Sequence, residues 1–210
     1  HSCRPRLDPL PFFRSAIAVA PVSDWSREQF SSSRATKGRT PLGYRLLLSS
    51  PDIKPDSMID KRFEFDGFGC SGENKSPALH WRGAPADTKS FAVTVYDPDA
   101  PTGSGWWHWS VINLPAEVNA LAADAGAVGG GKLPAGASHV RIDYGVAGWG
   151  GTCPPQGDKA HRYIFTVYAL KTAKLEIPAD ATAALAGYMI NANAIGKASF
   201  VANYGRAKPN

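Results

Sequence analysis

The sequence predicts a mainly β fold, an antiparallel β-sandwich with short helices near the C-terminus. Three observations predict it. With Gly 21 and Pro 17 in 210 residues, turns are denser than average. Three segments alternate along the chain with the period of two expected of strands. Near the C-terminus the period lengthens toward that of a helix. The hydrophobic fraction of 43% with 20% charged residues is globular and excludes wholesale disorder. A single domain is expected at this length, and no run of about 20 apolar residues exists to cross a bilayer as a helix.

Residues 1–44 differ from the rest. They hold Pro5, Pro9, Pro11, Pro21 and a Ser31-Ser32-Ser33 run without periodicity, and are expected to be a poorly ordered arm or leader remnant. Ala18-Val19-Ala20 has the look of a signal-peptidase site. Pro21 follows it directly, however, and Arg14 interrupts the apolar stretch before it. A cytoplasmic location is therefore expected, with the periplasm as the alternative. The domain is placed at 45–206 and a tail at 207–210.

Within the domain, Phe91 to Tyr96 alternates Phe91, Val93 and Val95 against Ala92, Thr94 and Tyr96. Trp107 to Leu114 puts Trp107, Trp109 and Val111 on one face and His108, Ser110 and Ile112 on the other. His161, Tyr163, Phe165 and Val167 share a face of a third strand. Residues 126–151 carry nine glycines and read as a long loop region with a short strand near Val140 to Ile142. Asp180 caps a short helix over Ala181 to Ala186, a second helix covers Met189 to Gly196, and Ser199 to Tyr204 returns to strand.

Charge excludes one function class. The net charge is +5, but residues 1–44 hold seven of the 23 basic residues and three of the 18 acidic ones. The body is nearly neutral and has no basic run interleaved with aromatics, so no nucleic-acid groove is expected. Cys3, Cys70 and Cys153 show no zinc spacing. They read as reduced thiols of a cytosolic protein, with one Cys70–Cys153 bridge as the alternative.

The chemistry collects at strand–loop junctions. Asp97-Pro98-Asp99-Ala100-Pro101 is a stiff turn that can hold a carboxylate at a fixed aim, or simply a proline turn capped by aspartates. Gly105-Trp106-Trp107-His108-Trp109 surrounds one imidazole with apolar surface, or is an edge strand packed by tryptophan. Thr152-Cys153-Pro154-Pro155-Gln156-Gly157 forms a rigid loop that could hold a cis X–Pro bond, and it leads into His161-Arg162-Tyr163. Together these residues offer hydroxyl and imidazole groups beside a carboxylate, which suits an oxyanion bound by protonated histidines. Asp97, His108 and His161 would also suffice for zinc on paper, but lack any metal spacing, so no metal or cofactor is expected. Gly129-Gly130-Gly131-Lys132 is not a P-loop, because Leu133 follows the lysine.

These segments resemble the phosphatidylethanolamine-binding protein family. The signature residues are Asp97-Pro98-Asp99-Ala100-Pro101, His108, Pro154-Pro155-Gln156-Gly157 and His161-Arg162-Tyr163. Ser76-Pro77-Ala78-Leu79-His80-Trp81 and Gly103-Ser104-Gly105-Trp106-Trp107-His108-Trp109 resemble its bacterial, Raf-kinase-inhibitor-like branch. The resemblance runs from Arg45 to Arg206 and implies a β-sandwich with a small cavity for phosphate, carboxylates or phospholipid head groups. It implies that Asp97 and His108 are the acid and first histidine of that cavity. Pro155, His161 and Tyr163 would form its second wall, and Asp99 and Pro101 would brace the first loop. Cys153 stands at the rim where many eukaryotic members have glycine. The sequence ends soon after Tyr204, so the helix that closes the pocket in eukaryotic members is not expected.

The reading is thus a non-enzymatic anion- or lipid-binding protein that regulates a partner. Family analogy offers a kinase or serine-protease inhibitor as the alternative, and a Cys153–His161 hydrolase is weaker still. Cys153 has no helix N-terminus beside it and no G-x-S-x-G elbow exists. Exposed Trp106 or Trp149 would mark a homodimer face.

Overall fold

The computed structural model describes residues 45–129 and 131–209, so the arm expected over 1–44 lies outside the described residues. The strands are β1 (Leu47–Ser49), β2 (Asp66–Gly67), β3 (Cys70–Ser71), β4 (Leu79–Arg82), β5 (Ser90–Asp97), β6 (Trp106–Pro115), β7 (Ala120–Leu121), β8 (Ser138–His139), β9 (His161–Leu170) and β10 (Ala194–Tyr204), with one helix, α1 (Ala183–Asn193), between β9 and β10. A five-stranded sheet has the order β10-β9-β5-β6-β8, and a three-stranded sheet the order β1-β4-β7. All the pairings within them are antiparallel. The short hairpin β2-β3 stands apart from both.

The alternation seen in the sequence decides which side chains meet. In β4, Leu79 and Trp81 turn inward while His80 and Arg82 face solvent. They meet the inner face of the large sheet, where Phe91, Val93 and Val95 lie beside Phe165, Val167 and Trp109 in one buried cluster. Burying such a side chain stabilises the fold by about 1.5–3 kcal/mol each. The outer face of the large sheet is covered too. Ala92, Ile112 and Leu170 pack under Ala186 and Ile190 of α1. That is why β5 reads as almost continuously buried instead of alternating.

Several expectations need correction. The two C-terminal helices are one, and its N-cap is Thr182, whose hydroxyl accepts from the Leu185 N–H, not Asp180. Gly196, expected in the second helix, belongs to β10, because the strand begins directly at Ala194 where the helix ends. The strand expected near Val140 to Ile142 is β8 at Ser138–His139, followed by isolated bridges at Arg141. Trp149 is no surface marker: it is 1% exposed and packs edge-on against Trp109. No peptide bond among the described residues is cis, so the proline loop after Cys153 is stiff without one.

Candidate anion-binding site

His108 reaches the site through a break in the strand's period. Val95 and Tyr96 of β5 pair with Trp109 and Trp107 of β6, so His108 is the extra residue of a β-bulge. The bulge corrects the facing read from the sequence. Trp107 turns outward onto Tyr96, with ring centroids 4.5 Å apart, and His108 and Trp109 both turn inward. The buried His108 ring stands edge-on to Tyr163 at 5.0 Å. Its Nδ1 lies 2.7 Å from the Gly150 carbonyl and 3.1 Å from that of Gly151. Carbonyls only accept, so Nδ1 carries the proton and Nε2 is left for a ligand. Burial pushes the His108 pKa down, opposed in part by these carbonyls and the Asp97 charge. In the ligand-free site this imidazole is neutral at pH 7, not the cation expected from sequence. Gly151 has to be glycine: a Cβ there would run into the Phe63 carbonyl and the Phe65 nitrogen.

Asp97 ends β5 and is buried. Its Oδ1 accepts from the backbone N–H groups of Asp99 and Ala100, at 2.8 and 3.1 Å, which folds the proline turn back on itself. Its Oδ2 lies 2.8 Å from His161 Nδ1 at the start of β9. Asp158 Oδ2 lies 3.8 Å from the other nitrogen of that ring. Asp99 does not join this group. It accepts from the backbone and guanidinium of Arg162, tying the turn to β9, and the guanidinium holds its carboxyl down to about 2.

The opposite wall is covalently fixed. Cys70 of β3 and Cys153 form a disulfide, which corrects the reduced-thiol expectation. The sequence offered this pair only as the alternative, because the cysteines are three in number and the pair is 83 residues apart. Arg206 works in parallel with the bridge, donating to the Gly69 carbonyl at 2.6 Å on one side and the Pro154 carbonyl at 3.2 Å on the other. Beneath them buried Glu64 accepts from the Ser71 N–H at 2.8 Å and from the Tyr204 hydroxyl.

Between these walls is a cavity of about 200 Å³ lined by Asp97, Pro101, His108, Cys153, Pro155, His161 and Tyr163. Seven of the eight residues expected at the site are thus brought together, and Asp99 is the exception. Phe68, Ala100, Thr102, Trp106, Tyr144 and Pro154 complete the lining and were not assigned to it from sequence. Trp106, read as a surface or packing residue, is a wall. Tyr144 hides in the glycine-rich region, where no periodicity marks it. Its hydroxyl donates to the Gly151 carbonyl at 2.9 Å. Two buried lining donors have no acceptor: the Tyr163 hydroxyl, whose oxygen faces the Cys153 backbone N–H, and the Trp106 indole N–H. Burial pushes the Tyr163 pKa up, with the Asp97 charge adding to it, so the hydroxyl stays protonated. Among the described residues no cluster of three or more His, Cys, Asp or Glu is placed to hold a metal ion. No described helix is long and apolar enough to cross a membrane.

The family model described as phosphatidylethanolamine-binding protein matches residues 49–205. The chain belongs to this family. Within the family, it is 55% identical over 157 residues to the UPF0098 protein YbcL of Escherichia coli, covering 75% of this chain and 86% of YbcL. It is 43% identical over 159 residues to YbhB of the same organism, covering 76% of this chain and 99% of YbhB. The crystal structure of YbcL, described as a new member of the mammalian family, superposes with a TM-score of 0.75 at 53% identity. That match covers 77% of this chain and 98% of the solved one.

Proposed function

We propose that this family member is a binding module, not an enzyme, and that its ligand is a small anion: phosphate, a carboxylate, or the head group of a phospholipid. One observation carries the reading. Tyr163 and Trp106 bury an O–H and an N–H in the cavity wall with nothing to donate to. Such a group costs about 1–3 kcal/mol when left unsatisfied. A ligand oxygen would satisfy both, beside the imidazoles of His108 and His161. A cavity of 200 Å³ falls below the roughly 300–1,000 Å³ of clefts that engulf drug-sized molecules, so a head group fits and a whole organic ligand does not.

The Cys70–Cys153 bridge supports two further points. It removes the thiol that a Cys153–His161 nucleophile would need. It also argues for an oxidising compartment over the cytoplasm expected at first. Isothermal titration with inorganic phosphate and with O-phosphorylethanolamine tests the reading. Saturable heat is expected with the wild type and its loss with His161→Ala. No heat, or an unchanged profile in the variant, overturns it.

A further inference from the structure

The cavity holds no fixed positive charge. Of the described residues that line it, none is lysine or arginine and none belongs to α1, so neither a basic side chain nor a helix N-terminus meets a ligand there. The guanidiniums beside its walls are engaged elsewhere. That of Arg162 grips Asp99 at 2.7 and 2.9 Å, and that of Arg206 donates to the Gly69 and Pro154 carbonyls. Lys159 and Lys208 are exposed and outside the lining, where water and salt screen them.

Negative charge is present instead. Asp97 lines the cavity and is buried. Asp158 lies 3.8 Å from His161 Nε2, and exposed Asp66 stands on β2. Asp143 accepts from the Trp107 N–H at 2.7 Å, and its charge, like that of Asp97, favours a proton on His108. Any positive charge on His161 is matched by Asp97 at 2.8 Å before a ligand arrives. Burial keeps Tyr144 and Tyr163 protonated, so both are neutral. That leaves His108. Its Nδ1–H faces two carbonyls, and its Nε2 has room for one proton. The cavity can therefore raise one positive charge to meet a ligand, and no second. A second ligand charge would be desolvated beside carboxylates without a counter-charge, which is strongly unfavourable.

We propose that the cavity selects its ligands by charge, taking singly charged oxyanions and rejecting doubly charged ones, with His108 supplying the matching charge. This rests on the anion reading above and adds a charge limit to it. Carboxylates and phosphodiesters fall inside the limit, and phosphomonoesters in their dianionic form fall outside it.

Isothermal titration of the wild type with methyl sulfate and methyl phosphate tests it. The two esters have nearly the same shape. Methyl sulfate carries one charge throughout. Methyl phosphate has a second pKa of about 6, so it is mostly singly charged at about pH 5.5 and doubly charged at about pH 8. Both esters meet the same protein at each pH, so titration of the histidines cancels from the ratio of their affinities. At about pH 5.5 the affinities are expected to agree within about threefold. At about pH 8 methyl sulfate is expected to bind at least about tenfold tighter, because only about one methyl phosphate ion in a hundred is then singly charged. A ratio that does not change between the two pH values overturns the charge limit and leaves the anion reading standing. Binding of methyl phosphate without methyl sulfate does the same. Absence of heat with both esters at both pH values overturns the anion reading as well.

Discussion

His161 Nδ1 lies 2.8 Å from Asp97 Oδ2, and both side chains are buried. Asp97 accepts at both oxygens, from the ring on one and from two backbone N–H groups on the other. An amide cannot do this. In Asp97→Asn the NH₂ group faces either the ring N–H or the backbone donors. The expected loss is about 2 kcal/mol in urea unfolding, with phosphate affinity reduced at least about tenfold as His161 loses its orientation.

The pH dependence follows from His108. Its folded pKa lies below the ordinary 6.5 because of burial, so between the two values the unfolded chain binds a proton that the folded chain does not. Stability of the ligand-free protein therefore falls as pH drops through about 6.5. Half-buried His139, shifted the same way by burial, contributes to the same fall. Thermal melts from pH 8 to pH 5 are expected to show the decline, and His108→Gln to flatten part of it. A bound anion favours the imidazolium, so phosphate binding takes up protons. Titrations in buffers of different ionisation enthalpy measure that uptake.

Tyr163→Phe separates stability from binding. The hydroxyl proton is buried without an acceptor, so removing the hydroxyl relieves a desolvation cost, offset in part by the lost contact with the Cys153 backbone N–H, and leaves the ring packing intact. The ligand-free variant is expected to be as stable as the wild type, or up to about 1 kcal/mol more so. Its phosphate affinity should fall about fivefold to tenfold, the worth of one lost hydrogen bond. A clear drop in melting temperature without ligand would show that the hydroxyl serves the fold.

The disulfide spans 83 residues of sequence. Chain-entropy reasoning assigns about 4.5 kcal/mol to closing a loop of that length. Cys70→Ser with Cys153→Ser is expected to lose that amount in guanidinium unfolding, less whatever Arg206 retains across the same gap. Phosphate affinity should fall as well, because Cys153 is part of the cavity wall.

Much of the fold was legible because sandwich strands obey a two-residue period. Phe91 to Tyr96 and His161 to Leu170 face as that period dictates. The same rule failed at Trp107 and His108, since one bulged residue inverts the facing of everything on one side of it and leaves no mark in composition. The site was legible where a polar residue falls at a strand end beside a proline- or glycine-rich loop, at Asp97 and His161, with Tyr163 on the same face of its strand as His161. Tyr144 and Phe68 were invisible because each sits in a turn, placed by tertiary stacking and not by local pattern. The Gly67-Phe68-Gly69 triplet was the available clue: an aromatic between two glycines is an odd thing for a turn to hold. The helix boundary failed because Asp180 and Thr182 are both competent caps, and packing of Ala186 and Ile190 against the sheet chose between them.

The Cys70–Cys153 link makes a covalent circle of the intervening chain. Asp97 and His108 lie on that circle, while His161 and Tyr163 lie beyond it and are joined to it laterally by the β5-β9 ladder. A protease that cuts between the two cysteines, for instance among the glycines of residues 126–151, opens the circle without releasing a fragment. The four polar residues of the cavity would then stay tethered in one molecule despite the broken backbone.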